Sequence, residues 1–414
     1  MIANRNVFVF ISLIIVFSLF YFSYSNLVGP NFGYMGFKNN FSFDSLLIAM
    51  FLIFCVAFFI AMLKSDFDKY ISSLLFVFVT APNLVVFCFM ETNIRIVAWS
   101  ALCVPLTVIF INILPVFRTK TVSLLAQKKF LWGSLVFLSS LVFAAHGFKL
   151  NFDVFMLKNI YELRLESRES STKASVYAYF TLAKVICPIA IIWAIDNKDK
   201  FMALFSVLIL TYLYMTTGHK SVYFSVFIIL AFMVGKNTHY SKLRLFLLGI
   251  VLLFCFLRLL SELIGLTLLE SLFIRRLFYI PALLNIYFFE YFNDLKLLYS
   301  GSFLSLLIDY PLERVPAREI GFVYFNSEDM SANNGYLSDG FANLGSVGIV
   351  ISIFVTSWVF KFFKAYHVSP KYYGLIFVTF YAFQGSGLSA SLFTHGVLLL
   401  TLLIPFFLRG EIKE

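Results

Sequence analysis

The sequence predicts an all-α protein that crosses a membrane many times, and three observations lead to this prediction. Of the 414 residues, 61% are hydrophobic and only 13% are charged, unlike any soluble domain. Apolar runs of about 18 residues or more recur along the chain, which is the length that a helix needs to cross the hydrocarbon core. The 54 Phe and 22 Tyr residues suit lipid-facing and interfacial surfaces.

About twelve transmembrane helices account for these apolar runs. We place the spans at residues 6–25, 46–63, 71–90, 96–116, 130–147, 178–195, 201–217, 221–235, 245–265, 344–360, 372–387 and 391–408. The first run follows Arg5 and lacks a small-residue cleavage site, so we interpret it as an uncleaved span. An even number of spans puts both termini on one side of the membrane.

The distribution of Lys and Arg predicts which side this is. The short loops on the side of the termini are rich in basic residues, the pattern of cytoplasmic loops, so we expect both termini to be cytoplasmic. The net charge of +10 also raises the question of a nucleic-acid partner. The basic residues are spread between spans rather than gathered on one soluble face, which argues against that partner.

Two long loops, 148–177 and 267–345, lie on the opposite side of a single membrane domain that covers 1–414. In the first loop, the spacing of apolar residues from Phe152 to Arg168 predicts an amphipathic helix on the membrane surface. The second loop contains the apolar stretch Leu277–Phe292. A span there would move the lysines that follow the next span to the outside, so we interpret the stretch as an interfacial helix.

Arginines are the first group of candidate site residues in the long loops, because their planar fork suits phosphate oxygens. Arg275 and Arg276 open the larger loop, and on a helix they point about 100° apart, so at most one faces a given ligand. Arg314 and Arg318 share one face only if their segment is helical. The alternative for these arginines is contact with lipid headgroups.

The segment before the tenth predicted span contains the second group of candidates. Asn333-Asn334-Gly335 permits a tight turn with positive φ. Gly340, Gly345 and Gly348 allow close approach as the chain enters the membrane. Asp339 lies near the membrane boundary, where an acid is unfavourable unless it is paired or used.

A third group lies in the first long loop and in the turn between the seventh and eighth spans. Arg164 and Arg168 belong to the amphipathic stretch. Lys220 follows a tight turn with almost no loop to hold it in water, and it either snorkels to the headgroups or points at an anion between helices.

The sequence gives no indication of a metal site or a cofactor. The five cysteines fall inside predicted spans and are interpreted as small core residues, and the five histidines are not at metal-ligand spacing. Asp66-Phe-Asp68 resembles the acidic pair of many sugar transferases. It lies in a short cytoplasmic loop with no domain to bind a nucleotide, so we interpret it as a chance match.

Several of these features together resemble the integral-membrane oligosaccharide repeat-unit polymerases of bacteria, the O-antigen polymerase family. The resemblance rests on the span count, the two arginine-rich loops and three motifs. These motifs are Thr217-Gly-His-Lys220, Arg276-Leu-Phe-Tyr-Ile-Pro-Ala282 and Asn334-Gly-Tyr-Leu-Ser-Asp-Gly-Phe-Ala-Asn-Leu-Gly-Ser-Val-Gly348. The related O-antigen ligases usually carry a histidine in the large loop. Residues 267–345 contain none, which favours a polymerase.

This resemblance implies a glycosyltransferase in the bacterial inner membrane that joins glycan units carried on undecaprenyl pyrophosphate at the periplasmic face. Its partners would be a lipid-linked donor and acceptor, membrane lipid and a chain-length regulator protein, and no cofactor is needed. Cations would face the leaving pyrophosphate, and a carboxylate would take the proton of the attacking hydroxyl. The expected catalytic residues are Asp339, Arg276 and Glu319. The expected substrate-binding residues are Arg275, Lys220, Arg164, Arg168, Arg314, Arg318 and Asn334.

Two alternatives stay open at this point. One is an O-antigen ligase or another membrane glycosyltransferase. The other is a flippase or transporter of lipid-linked glycan, which predicts two halves with related hydropathy and broken helices at mid-membrane. The sequence shows no clear internal repeat, and its charges concentrate outside the spans, so we favour the polymerase.

Overall fold

The computed structural model describes residues 2–117, 119–148, 150–156, 160–219, 221–265, 267–302 and 304–410. Within these ranges the chain forms helices, turns and loops, and no strand. The helices are α1 (Asn4–Asn31), α2 (Phe43–Met62), α3 (Asp66–Phe89), α4 (Ile94–Ile113), α5 (Leu124–His146), α6 (Ile160–Ser170), α7 (Lys173–Asp196), α8 (Lys200–Thr217), α9 (Ser221–Met233), α10 (His239–Ile264), α11 (Thr267–Tyr291), α12 (Pro316–Phe325), α13 (Tyr336–Ala365), α14 (Tyr373–Gln384) and α15 (Val397–Phe407).

Ten of these helices are long and apolar enough to cross a membrane, so the prediction of an all-α polytopic membrane protein is confirmed. Nine of the ten coincide with predicted spans, and the tenth is α11. The predicted spans at 221–235, 372–387 and 391–408 correspond to the shorter helices α9, α14 and α15. In the first long loop, the predicted amphipathic helix is a 3₁₀ turn, Phe152–Met156, followed by α6.

Polar residues in the loops fix where several helices begin. Ser42, Ser65 and Ser123 each precede a helix, and each hydroxyl accepts a hydrogen bond from the backbone N–H three residues later, at 3.2 to 3.3 Å. Thr172 caps α7 in the same way, at 3.1 Å. These bonds satisfy backbone donors that a helix leaves unpaired at its start.

The described residues form two compact units. Unit 1 takes its residues from Met1–Leu114, Thr238–Phe360 and Phe383–Leu388, and unit 2 takes its residues from Pro115–Asn237, Lys361–Ala382 and Ser389–Glu414. Each unit is therefore assembled from segments that are far apart in the sequence.

In unit 1, α1, α3 and α10 finish at one end, which we call the distal end. The rings of Tyr24 and Phe89 stack there with centroids 4.8 Å apart, and α4 begins after the short loop 90–93. Helix α10 runs parallel to α1. Its Tyr240 packs near Phe8, and its Arg258 guanidinium lies 5.4 Å from the Phe22 ring.

Helix α11 has both of its ends at this distal end. At its start, Glu270 lies 3.8 Å from Arg258 of α10. Just beyond its last residue, Asn293 accepts a hydrogen bond of 3.2 Å from Arg95 in the first turn of α4. Length and composition would allow α11 to cross a membrane, but these contacts place it across unit 1, with both ends on one side.

The long helix α13 is broken in its first third. Leu344 and Gly345 have non-helical backbone angles, with Gly345 at φ 61°. The chain folds back sharply at this break. The segments before and after it lie so close together that a Cβ on Gly340 would be 2.5 Å from the carbonyl oxygen of Gly348. The close approach expected at these glycines is present, and the continuous helix begins after Gly345, beside the predicted span start at residue 344.

Candidate functional site

Four tyrosines and two glutamates gather where α11 ends and α12 begins in unit 1, and we call this group the tyrosine–carboxylate cluster. Its members are Tyr287, Glu290, Tyr291, Tyr310, Glu319 and Tyr324. All of the tyrosines are half-buried, and Glu290 is exposed. The cluster therefore presents aromatic faces and carboxylate oxygens together at the distal end.

Hydrogen bonds and ring stacking hold this cluster in one arrangement. The Tyr291 hydroxyl donates to Glu319 Oε1 at 2.8 Å, and the Tyr324 hydroxyl donates to Glu290 Oε2 at 3.4 Å. The rings of Tyr287 and Tyr324 stack with centroids 4.1 Å apart. Each glutamate therefore accepts a hydrogen bond from a tyrosine, and two of the tyrosine rings stack on each other.

A glycine in the loop after α1 makes room for this stack. Gly36 has φ 96°, and a Cβ there would lie 1.9 Å from the Tyr287 hydroxyl. Both the backbone angle and the contact exclude a larger residue. The sequence analysis did not single out Gly36, because the close approach comes from a residue about 250 positions later in the chain.

The tyrosine hydroxyls in the cluster stay protonated well above neutral pH. Burial, and then the charge of Glu319, raise the pKa of Tyr310 to about 12. Burial, and then Glu290, raise the pKa of Tyr324 to about 12. These hydroxyls therefore act as hydrogen-bond donors at physiological pH.

Arg314 is the cation nearest to the predicted acid Glu319. Its guanidinium lies 4.0 Å from Glu319 and 3.9 Å from Glu328, and it stacks over the Phe322 ring at 4.1 Å. Helix α12 begins at Pro316, so Arg314 precedes it and does not share a helix face with Arg318. The Arg318 side chain is exposed and makes no hydrogen bond or ion pair with the described residues.

Asp339 is held by the protein on both carboxylate oxygens. Oδ2 accepts a hydrogen bond of 2.8 Å from the Leu388 N–H, and Oδ1 accepts one of 3.2 Å from the Asn343 amide. A Cβ on Gly387 would lie 2.8 Å from Oδ1, so that glycine is packed directly against the carboxylate. Asp339 thus joins the start of α13 to the segment after α14.

Asn334 lies in a buried chain of amides rather than at a surface. Its side-chain nitrogen donates to Asn285 Oδ1 at 2.9 Å and to Ser338 Oγ at 2.8 Å. Asn285 in turn donates to Asn83 Oδ1 at 3.1 Å. The network links α3, α11 and the start of α13, and it fixes the positions of these three segments relative to one another.

The prediction of a tight turn with positive φ at residues 333–335 is wrong. None of Asn333, Asn334 and Gly335 has a positive φ. Gly335 is required for a different reason, because a Cβ there would lie 2.7 Å from the carbonyl oxygen of Gln384. A glycine is therefore needed at position 335, but the reason is a tertiary contact with the end of α14 and not a left-handed turn.

The two adjacent arginines of α11 have different surroundings, as their spacing on a helix requires. Arg275 is half-buried, donates to Ser271 Oγ at 3.0 Å and to Met35 Sδ at 2.7 Å, and lies 4.2 Å over the Phe32 ring. Arg276 is exposed and makes no hydrogen bond or ion pair with the described residues. Of the two, only Arg276 has its guanidinium available to a ligand.

The remaining predicted site residues belong to unit 2. Arg164 of α6 donates a hydrogen bond of 3.2 Å to the Gly218 carbonyl in the turn after α8. Arg168 lies in α6, and its side chain is outside the described part of the chain. Lys220 also lies outside the described residues, so its placement stays a prediction.

A lysine inside α7 was missed by the sequence analysis. Lys184 lies in the middle of a helix that is otherwise apolar over most of its length, and it lines a small cavity together with His395. A charged residue within a predicted span is itself a signal of function.

Comparison with known proteins gives no relative for this chain. No family model, no curated protein and no solved structure matches it. Among the described residues no group of three or more His, Cys, Asp or Glu side chains is arranged to hold a metal ion. The fold defines the class as an all-α multi-pass membrane protein, and any narrower function rests on the chemistry of the side chains described above.

Proposed function

We propose that this chain is a glycosyltransferase of the oligosaccharide repeat-unit polymerase type. It joins glycan units carried on undecaprenyl pyrophosphate at the periplasmic face of the bacterial inner membrane, with both termini in the cytoplasm. The tyrosine–carboxylate cluster is the observation that carries the proposal. Half-buried tyrosine rings suit the apolar faces of sugar rings, and carboxylates held by hydrogen bonds suit their hydroxyls.

The reaction requires one bond to form and one to break. An acceptor hydroxyl oxygen attacks C1 of the donor sugar, and the bond from C1 to the pyrophosphate oxygen breaks. The hydroxyl proton passes to a carboxylate, and the electron pair of the broken bond leaves with the pyrophosphate. A base and a cation for the leaving group are therefore the two groups that the protein must supply.

The surroundings of the two candidate carboxylates support different proposed roles for them. Glu319 accepts one tyrosine bond and lies within a cluster that has exposed members, and its side chain is 13% exposed. Asp339 has both oxygens bonded to protein donors. We assign proton acceptance to Glu319, and we treat Asp339, the acid that its position in the sequence favours, as a positioning residue.

Arg276 is the cation that we assign to the leaving pyrophosphate. It is exposed on α11, eleven residues before Tyr287 of the cluster, and its side chain has no hydrogen bond or ion pair with the described residues. Its guanidinium can therefore form two parallel hydrogen bonds to phosphate oxygens without first breaking an ion pair. Arg275 holds the loop after α1 instead.

The test is the pattern of surface polysaccharide with and without the gene. Loss of a polymerase leaves surface lipid that carries a single repeat unit, because one flipped unit is still ligated. Loss of a flippase removes every unit, and loss of a ligase leaves finished chains on the carrier lipid. We expect the single-unit pattern, and either of the other two patterns would contradict the proposal.

A further inference from the structure

A loop at the distal end of unit 1 exposes two adjacent leucines almost completely. Leu306 is 94% exposed and Leu307 is 80% exposed, more than any large apolar side chain that the structure describes on the membrane-spanning helices of this unit. Both belong to residues 297–308, which include no charged residue and which we call the leucine loop. Two neighbouring leucines with this exposure are unfavourable in water, so an apolar surface from outside the chain should cover them.

The start of the leucine loop is held against α13 by hydrogen bonds. The Leu297 N–H donates to the Ala342 carbonyl at 3.0 Å, and the Leu298 N–H donates to the Asn343 carbonyl at 3.1 Å. The Tyr299 N–H donates to Asn343 Oδ1 at 2.8 Å. Leu298 and Tyr299 have φ values of 51° and 56°, a conformation that is unfavourable for residues with side chains, and these bonds maintain it. The base of the loop therefore has a fixed position relative to α13.

This attachment lies beside the lipid-facing surface of α13. Asn343 immediately precedes the break in α13, after which the continuous helix begins. On that helix Val347, Ile351 and Phe354 are exposed at the spacing i, i+4 and i+7, so they share one face. An exposed apolar face on a membrane-spanning helix contacts lipid. The leucine loop thus starts within about one helical turn of that face, where α13 meets the distal surface of the membrane.

The backbone at the tip of the loop is suited to an apolar environment. The Leu304 carbonyl accepts hydrogen bonds from the Leu307 N–H at 2.9 Å and from the Ile308 N–H at 3.0 Å. A segment that enters lipid has to pair its own backbone groups, because no water is present there to do so. Asp309 follows the loop and is exposed, and a carboxylate is strongly disfavoured in hydrocarbon. The tip can therefore enter only the shallow part of a leaflet.

We propose that the leucine loop inserts Leu306 and Leu307 into the leaflet on the distal side of the membrane, at the boundary between headgroups and acyl chains. Lipid is the occupant that the structure favours, because the loop is attached beside a surface that lipid already covers. The loop also packs against the tyrosine–carboxylate cluster, since a Cβ on Gly301 would lie 3.1 Å from the Tyr310 ring. The insertion therefore holds the cluster at the level of the headgroups, and it does not depend on the proposed glycosyl transfer.

Fluorescence of a probe on the loop tests the insertion. After the exposed Cys55 and Cys255 are replaced, full-length Leu306→Cys protein is labelled with the environment-sensitive dye NBD and placed in phosphatidylcholine nanodiscs. We expect blue-shifted emission that lipids with a nitroxide near the top of the acyl chain quench at least twofold, and that lipids with a nitroxide near the chain end quench less. Asp329→Cys is the matched control, because Asp329 is exposed in the loop between α12 and α13, and its label should emit as in water.

A second set of variants tests the two leucines with the label at Ser305→Cys. Replacing Leu306 and Leu307 together by Ser should abolish the blue shift and the quenching. The melting temperature in detergent should stay unchanged, because these side chains bury almost nothing within the protein. Val315→Ser alters another exposed apolar side chain, just before α12, and should leave the label at position 305 unaffected.

Three results would contradict the proposal. Emission at position 306 equal to that at position 329 would show that the tip lies in water. A blue shift without quenching by either nitroxide lipid would show that a second protein surface covers the leucines instead of lipid. Stronger quenching from the chain end would rule out the shallow position at the headgroup boundary. None of these results depends on the pattern of surface polysaccharide, so the lipid contact and the proposed function are tested separately.

Discussion

The hydroxyl of Tyr291, the last residue of α11, donates a hydrogen bond of 2.8 Å to Glu319 in the first turn of α12. This bond ties a helix with both ends on one side of unit 1 to the carboxylate that we assign as the proton acceptor. It orients one oxygen of Glu319 and leaves the other toward Arg314, 4.0 Å away. The arrangement of the cluster therefore depends on a contact between two elements that the sequence suggested only separately.

Replacing Glu319 by Gln should abolish polymer and leave single repeat units on the surface lipid. Gln keeps the size of the side chain and an oxygen for the Tyr291 bond, but it cannot take a proton at neutral pH. Glu328→Gln is the matched control, because Glu328 also lies beside Arg314 and is 78% exposed. Normal chain lengths from Glu319→Gln at equal protein levels would remove Glu319 from the reaction.

Replacing Asp339 by Asn should give the same single-unit pattern, but together with a lower melting temperature of the purified protein. The amide nitrogen of Asn would face one of the two donors that now bond the carboxylate, Leu388 N–H or the Asn343 amide. A buried group that loses its partner destabilises by about 1–3 kcal/mol. Gly387→Ala should reproduce both effects, because its Cβ would meet the Asp339 carboxylate. A loss of polymer without any loss of stability would instead make Asp339 the base.

Replacing Arg276 by Ala should abolish polymer while the membrane level of the protein stays normal. Lysine at this position should restore little, since the two-pronged donor is lost. Arg275→Ala is the contrasting variant. It removes the cation–π contact with Phe32, worth about 0.5–2 kcal/mol, and should lower stability first. Full-length polymer from Arg276→Ala would exclude it from the leaving-group site.

Labelling of single cysteines tests the predicted orientation. Cysteine at position 170 or 325 should react with an impermeant thiol reagent in intact cells with a permeabilised outer membrane, and cysteine at position 122 should not. The native Cys55 and Cys255 are exposed and have to be replaced first. Labelling at position 122 would overturn the assignment of cytoplasmic termini.

Asp199 at the start of α8 should make the stability of unit 2 sensitive to acid. The hydrogen bond from Lys128 and that from the Met202 N–H hold the pKa of this carboxyl below its usual range. Since the pKa of Asp199 is lower in the folded state than in the unfolded state, its ionised carboxylate stabilises the folded protein at neutral pH. This stabilisation is lost as pH falls through and below the ordinary carboxyl range. The melting temperature of Asp199→Asn should therefore be lower than that of the unaltered protein at pH 7, and the gap should close in acid. A gap that stays constant with pH would contradict this origin.

The positions of the helices were largely predictable, whereas the composition of the site was not. Hydrophobic runs located nine of the long helices, because the length of a span is dictated by the thickness of the bilayer. The same reasoning could not find the stack of Tyr287 on Tyr324 or the glycine beneath it, since those contacts join distant segments. It also passed over Lys184, because a single lysine hardly lowers the mean hydropathy of a long apolar helix.

By itself, the sequence determined that this protein is α-helical, lies in a membrane and carries acids and arginines in two long segments between spans. These properties follow from composition and local periodicity, which each stretch of chain has without its neighbours. Only the tertiary structure decided that α11 has both ends on one side of unit 1 and that Glu319 and Asp339 have different partners. It also decided that Arg275 is held by side chains, whereas the Arg276 side chain has no partner among the described residues. Those differences arise from hydrogen bonds and close packing between residues far apart in the chain, and such contacts exist only once the helices have been brought together.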